Sequence, residues 1–178
     1  MRDNMEIDLR DAVCFDTETS GLDSTAEICS ISILDFRSGV VLFDRILKTK
    51  NPIPDHISTI HGITNKESQQ SHKIGYFWDY ITKNLLANKV VLGYNVFFDI
   101  RMLFQSYSIW EPEQVPYFNA TCVVDVMQMA KIAFNEEKWL SLSAACKRAE
   151  MPMDESKAHG SSYDALMTIN LFKKLVRI

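Results

Sequence analysis

No stretch of this chain is apolar for the about 20 consecutive residues that a membrane-spanning helix requires. The leading residues, Met1 to Arg10, are charged and lack the apolar core of a secretory signal. Cysteine is sparse: Cys14, Cys29, Cys122 and Cys146 have no metal-type spacing, which argues against a zinc site. Cys14 and Cys29 fall in segments that read as strands, so they are expected to be reduced core residues, and a cytoplasmic location is expected with them. There is no excess of basic residues; the net charge is −4, which argues against a tight grip on a long nucleic acid. Internal repeats, low-complexity tracts and linkers are also missing. A chain of 178 residues that is 47% hydrophobic is then expected to fold as one domain, residues 1–178, with a sizeable core.

What is present is a set of acidic residues in apolar surroundings. Asp16 and Glu18 follow Ala12-Val13-Cys14-Phe15, an apolar run rich in β formers, so they sit on a strand. Residues two apart on a strand share a face and lie about 7 Å apart. Asp99 falls in the first turn of a mostly apolar helix that contains Phe97, Phe98, Ile100, Met102, Leu103 and Phe104, with Asn95 as its expected cap. Asp164 falls in the first turn of a helix starting near Gly160-Ser161-Ser162, and His159 lies on the loop before it. Each motif alone has a plain structural reading: a solvated strand end, an acid complementing a helix dipole, and a capping region with an incidental histidine. Taken jointly, acidic groups from separate segments repel if they converge, and a divalent cation removes that cost. The pattern therefore points to metal-dependent hydrolysis.

The motifs, in this order, resemble the DEDDh family of 3′–5′ exonucleases, the proofreading group of the ribonuclease H-like superfamily. Phe15-Asp16-Thr17-Glu18-Thr19-Ser20-Gly21-Leu22 is similar to the first motif of that family, and Ile60-His61-Gly62-Ile63-Thr64 to the loop that follows its third strand. Tyr94-Asn95-Val96-Phe97-Phe98-Asp99 is similar to the second motif, and Leu140 to Arg148 to the helix before the last. His159 and Asp164, five apart, fit the third motif in its histidine form. The likeness runs from about Ala12 to Val176. Two departures stand out. Tyr94-Asn95 replaces the usual His-Asn, and Gly160-Ser161-Ser162-Tyr163 fills a spacing that usually reads His-x-Ala-x-x-Asp.

The resemblance implies an α/β ribonuclease H-like fold with a central five-stranded mixed sheet, three antiparallel strands followed by two parallel ones, flanked by helices. The order of elements agrees. Strands are expected near residues 11–17, 27–36, 40–49, 89–95 and 121–124. Helices are expected before His61, near 74–86, from Phe97 onward, and near 125–134, 141–150 and 161–176.

The resemblance further implies two bound divalent ions, Mg²⁺ or Mn²⁺. Asp16 would bridge both ions, Glu18 and Asp164 would complete one site, Asp99 would serve the other, and His159 would act as general base. Thr17, Leu22, His61, Ile63, Asn95 and Phe98 are the implied substrate contacts. At least one of Phe97 and Phe98 is expected in the core, because adjacent helical residues point about 100° apart. Trp78, Trp110 and Trp139 are expected to pack rather than to stack on bases. Lys131, Lys138, Lys147, Arg148 and Lys157 either flank a phosphate path or form a solvated face. The implied partner is a single-stranded 3′ end, DNA ahead of RNA. The chain stops soon after its last helix, which favours a stand-alone enzyme over a polymerase-tethered subunit. An exoribonuclease trimming RNA ends, or a non-catalytic nucleic-acid-binding module, are the alternatives.

Overall fold

The strand that carries Asp16 and Glu18 runs through the middle of the sheet, and its two faces are buried by different helices. In the computed structural model, which describes residues 8–176, the strands are Val13–Thr19 (β1), Ile28–Asp35 (β2), Val41–Ile46 (β3), Val90–Gly93 (β4) and Cys122–Asp125 (β5). The charged leading segment up to Ile7 and the last two residues lie outside the described residues. The sheet order is β3-β2-β1-β4-β5. β1 pairs antiparallel with β2, β2 antiparallel with β3, and β1, β4 and β5 run parallel. This is the expected mixed sheet.

The helices are Asp55–His61 (α1), Asn65–Gln69 (α2), Ile74–Asp79 (α3), Val96–Trp110 (α4), Val126–Ala133 (α5), Leu142–Arg148 (α6) and Ser161–Val176 (α7). Side chains on a strand alternate between faces. Val13 and Phe15 accordingly join Ile31, Ile33 and Val91 in a core with Trp78, Met102 and Leu103 of the α3–α4 layer. Cys14 joins Leu34 and Leu92 in a second core with Ala130, Cys146 and Leu171 of the α5–α7 layer. Full burial of a side chain such as Phe15, Leu92 or Met102 contributes roughly 1.5–3 kcal/mol, so two such layers hold the central strand on both sides. Gly93 allows the close approach of β4 to β1, since a Cβ there would lie 3.0 Å from the Phe15 carbonyl oxygen.

Three local features differ from expectation. The helix expected over 74–86 is α-helical only to Asp79 and becomes π-helical over Tyr80–Leu86. Within that segment the Thr82 hydroxyl donates to the Trp78 carbonyl at 2.8 Å, taking an acceptor that the regular ladder would use. The short helix α2 was not expected, although Thr64-Asn65-Lys66-Glu67 spells the capping box that starts it. The Glu67 N–H donates to Thr64 Oγ1 at 3.2 Å, and the Thr64 N–H donates to Glu67 Oε2 at 2.8 Å. Asn95 precedes α4 as expected, but makes no side-chain cap; it adopts a left-handed conformation (φ 61°, ψ 40°) that turns the chain from β4 into the helix.

The departure at Ser161 has a structural partner. Its hydroxyl lies 3.0 Å from Ser30 Oγ and 2.7 Å from Ser32 Oγ, and Ser32 in turn donates to Asp44 Oδ1 at 2.9 Å. Ser30 and Ser32 pair in register with Glu18 and Asp16. This buried hydroxyl chain therefore seats the start of α7, one turn before Asp164, beside the two carboxylates. Ser161→Ala should cost about 1–2 kcal/mol by leaving the Ser30 hydroxyl buried without a partner. In urea denaturation the Ser30→Ala/Ser161→Ala double variant should cost less than the sum of the two single changes; strict additivity would contradict the hydroxyl chain.

Candidate active site

Asp16 and Glu18 project from the β1 face that packs against α7. Asp164, in the first turn of α7, meets them there: each of the three offers an oxygen within 4.8 Å of the others. Asp99 reaches the site from the α4 layer, on the other side of the strand. Its Oδ1 accepts from Thr17 Oγ1 at 2.6 Å and from the Thr17 backbone N–H at 3.1 Å. Three of the four carboxylates thus form one cluster, and the fourth is held beside it through the residue between Asp16 and Glu18.

The electrostatics of the cluster follow from burial and like charge. Burial, then repulsion from Asp99, Glu18 and Asp164, holds Asp16 well above the usual carboxylate range. Burial, with repulsion from Asp164 and Asp99, brings Glu18 to about 8. Burial brings Asp99 to about 7, against the two Thr17 hydrogen bonds that favour its charged form. Asp164 is raised by burial and pulled back by the neighbouring His159. Asp164 Oδ1 is also buried without a hydrogen-bond partner, which is costly for a carboxylate oxygen. Crowded carboxylate oxygens, one of them orphaned, fit a hard divalent cation that takes oxygen ligands.

His159 sits at the exposed rim in a left-handed conformation (φ 62°). Its backbone N–H donates to Asp164 Oδ2 at 3.2 Å, leaving the imidazole uncommitted to that bond. A cleft beside it is lined by Ser141, Leu142, Met153, Glu155 and Ala158.

The residues expected at the substrate are placed unevenly. Leu22 is 74% exposed on the β1–β2 loop, and Asn95 is exposed at the turn into α4. Thr17 is buried and engaged with Asp99. Ile63 is buried against Cys29 and Ile53. His61 accepts the Ile63 N–H on Nδ1 at 3.1 Å, so its proton is on Nε2, which faces Cys29 Sγ at 3.5 Å. Burial, together with the nearby His159, keeps His61 below the usual histidine range. Phe98 packs on the core with the Arg101 guanidinium 5.1 Å from its ring centre, whereas Phe97 is 54% exposed. Trp78 is buried and stacked on Tyr107 at 3.9 Å, Trp110 packs against the core, and the exposed Trp139 is covered by Lys131 Nζ at 4.3 Å. Of the other basic residues, Lys157 pairs with Asp154 and Arg148 with Glu136, while Lys138 and Lys147 are exposed.

Sequence reasoning missed Asp125. This buried carboxylate accepts the Asn95 and Met127 N–H groups, each at 3.0 Å, and so ties the second-motif turn to the start of α5. An acid at a strand-to-helix junction was the available signal. Tyr94, the other departure, donates its hydroxyl to the Leu140 carbonyl at 2.8 Å and thereby joins the same turn to the segment before α6.

Sheet order and flanking helices define an α/β domain with the ribonuclease H-like fold. The family model for the RNase T exonucleases matches residues 13–172, and the chain belongs to that exonuclease family. It is 28% identical over 178 residues to an uncharacterised exonuclease of Escherichia phage 186, covering 94% of this chain and 89% of the relative. It is 25% identical over 171 residues to the DNA polymerase III epsilon subunit of Rickettsia typhi, covering 92% of this chain and 72% of that one. Exonuclease X, solved in complex with 5′ overhanging duplex DNA, superposes with a TM-score of 0.68 at 19% identity, over 93% of this chain and 91% of that one.

The raised carboxylates have a consequence for stability. An acid whose folded pKa lies above its unfolded value favours folding at low pH, and that contribution is lost as pH rises through the folded value. For Glu18 at about 8 and Asp99 at about 7, the window runs from the usual carboxylate range up to about pH 8. The metal-free protein should therefore melt lower at pH 8 than at pH 5.5, by about 2–4 °C for each kcal/mol lost in a chain of this size. Added Mn²⁺ should raise the melting temperature more at the higher pH. A melting temperature independent of both pH and metal would contradict the clustering.

Proposed function

We propose that the protein is a DEDDh-type 3′–5′ exonuclease acting on single-stranded or frayed 3′ ends, with DNA preferred over RNA, and releasing nucleoside 5′-monophosphates. The observation that carries this reading is the meeting of Asp16, Glu18 and Asp164 on one sheet face, with Asp99 held beside them on Thr17. The preference for DNA is supported by likeness to a DNA polymerase III epsilon subunit and to an exonuclease solved on DNA. Four free thiols and no helix long and apolar enough to cross a membrane, among the described residues, accord with action in the cytoplasm.

A pair of divalent ions, Mg²⁺ or Mn²⁺, when bound, supplies stabilisation of the negative charge that develops on the entering and leaving oxygens. Asp16, Glu18 and Asp164 would hold one ion, and Asp16 with Asp99 the other. Thr17 orients Asp99 by engaging one of its oxygens, which leaves the second for a ligand. His159 takes the proton of the attacking water; its backbone bond to Asp164 keeps the ring at the rim of the carboxylates. Attack in line with the leaving 3′ oxygen breaks the phosphorus–oxygen bond. The phosphate leaves with the terminal nucleotide, and the leaving 3′ oxygen takes a proton from solvent, so the shortened strand ends in a 3′ hydroxyl. Leu22 and Asn95, both exposed, are the side chains best placed to meet the terminal nucleotides.

Digestion of matched 5′-labelled single-stranded DNA and RNA tests this. With Mg²⁺ or Mn²⁺ the strand should shorten stepwise from its 3′ end, and EDTA should stop it. Asp16→Ala should lower turnover by about 10³-fold or more, given the several kcal/mol of charge stabilisation at stake, while folding stably because one repelling charge is gone. His159→Ala should lower turnover by about 10²- to 10⁴-fold yet still bind metal. Full activity in Asp16→Ala would remove the site assignment. Faster digestion of the RNA would replace the preferred sugar, and no shortening of either strand would favour a binding module.

A further inference from the structure

An exposed leucine is ordinarily unremarkable on a protein surface. Leu22 differs in how firmly its loop is held. The Ser20 N–H donates to the Glu27 carbonyl at 2.8 Å, and the Glu27 N–H donates back to Ser20 Oγ at 2.9 Å, closing the loop at its base. Thr19 Oγ1 donates to the Gly21 carbonyl at 2.8 Å, and the Thr25 N–H and hydroxyl both donate to Asp23 Oδ1 at 2.7 Å. The far side of the loop is pinned from α4. Gln105 Nε2 gives both of its protons to loop carbonyls, that of Asp23 at 2.9 Å and that of Ala26 at 2.6 Å. The next residue, Ser106, is buried and accepts the Ile28 N–H at 2.7 Å, where the loop enters β2.

The same helix carries Asp99 in its first turn, bonded to Thr17 just before the loop begins. Gln105 follows six residues later, about 9 Å along the helix axis. α4 therefore grips the β1–β2 connection at both ends: at the strand between the carboxylates, and behind the exposed apolar tip. The backbone on both sides of Leu22 is thus tied to the helix that carries Asp99.

We infer that Gln105 is a positioning residue for nucleic-acid engagement. By fixing the loop from behind, it presents Leu22 as a rigid apolar edge against the base next to the terminal one, and so sets affinity for strands of two or more nucleotides. Gln105 itself touches no substrate. This role rests on the exonuclease reading.

Two substrates separate the possibilities: a 5′-labelled single-stranded DNA oligonucleotide, and the p-nitrophenyl ester of thymidine 5′-monophosphate, which has no neighbouring base. Gln105→Met keeps the shape and removes both donors, and Gln105→Lys restores a donor. Gln105→Met should raise KM for the oligonucleotide by about tenfold, with kcat and hydrolysis of the ester little changed. Leu22→Ala should raise KM for the oligonucleotide by a similar factor, the double variant should be no worse than either single one, and Gln105→Lys should recover most of the loss. Equal losses on both substrates would mean that Gln105 only supports the fold, and would overturn the proposal. So would additive losses in the double variant, or an unchanged KM in Gln105→Met. If the unaltered protein hydrolysed neither substrate, the exonuclease reading would fail and the role of Gln105 with it.

Discussion

Mutual repulsion among Asp16, Glu18, Asp99 and Asp164 is the constraint around which this structure is arranged. Isolated carboxylates in such a setting would turn to water or move apart. Here the central strand is packed on both faces, which holds Asp16 and Glu18 in place although both are only half-buried, and α7 delivers a third acid onto the same face. Burial and like charge hold their protons to higher pH than usual, and one Asp164 oxygen lies buried without a partner. Such an arrangement destabilises the fold at neutral pH unless a cation is present, and it places functional demand above stability in this corner of the molecule.

Small polar side chains keep the arrangement from relaxing. Thr17 holds Asp99 with its hydroxyl and its backbone N–H; Ser161 anchors α7 to the hydroxyls of Ser30 and Ser32; Asp125 holds the Asn95 turn by its backbone. Each of these bonds joins two different elements near the carboxylates. Each also satisfies a buried polar group that would otherwise cost stability. Rigidity of this kind suits catalysis by electrostatic stabilisation, in which ligands must be in place before charge develops. The β1–β2 loop extends the same logic outward, since the helix that carries Asp99 also clamps the connection that carries Leu22.

The large features were legible in the chain because they rest on period and composition. The apolar run into Asp16 and Glu18, the mostly apolar helix around Asp99 and the helix start before Asp164 each follow from local rules, and the five strands and the main helices stand close to where those rules put them. What was not legible depends on contacts distant in sequence. No local pattern shows that Asp99 enters from the opposite face and binds Thr17, or that a serine stands in the third motif because two β2 hydroxyls await it. Ile63 matches the substrate loop of the family, yet its apolar side chain lies in a small core with Cys29 and Ile53. The change to π-helical geometry at Tyr80, where the Thr82 hydroxyl engages the Trp78 carbonyl, is not something that propensity registers.

Calorimetric titration of Mn²⁺ into the metal-free protein near pH 7, repeated in buffers of different ionisation enthalpy, tests the central claim most directly. Near pH 7 a carboxylate held at about 8 is mostly protonated and one held at about 7 is about half protonated, and both must lose those protons to become ligands. The account predicts saturable binding with net proton release, diminishing as the pH is raised past 8, and abolished with the binding itself in Asp16→Ala. Binding without proton release, or no binding at all, would contradict the claim that these acids are gathered to hold a cation.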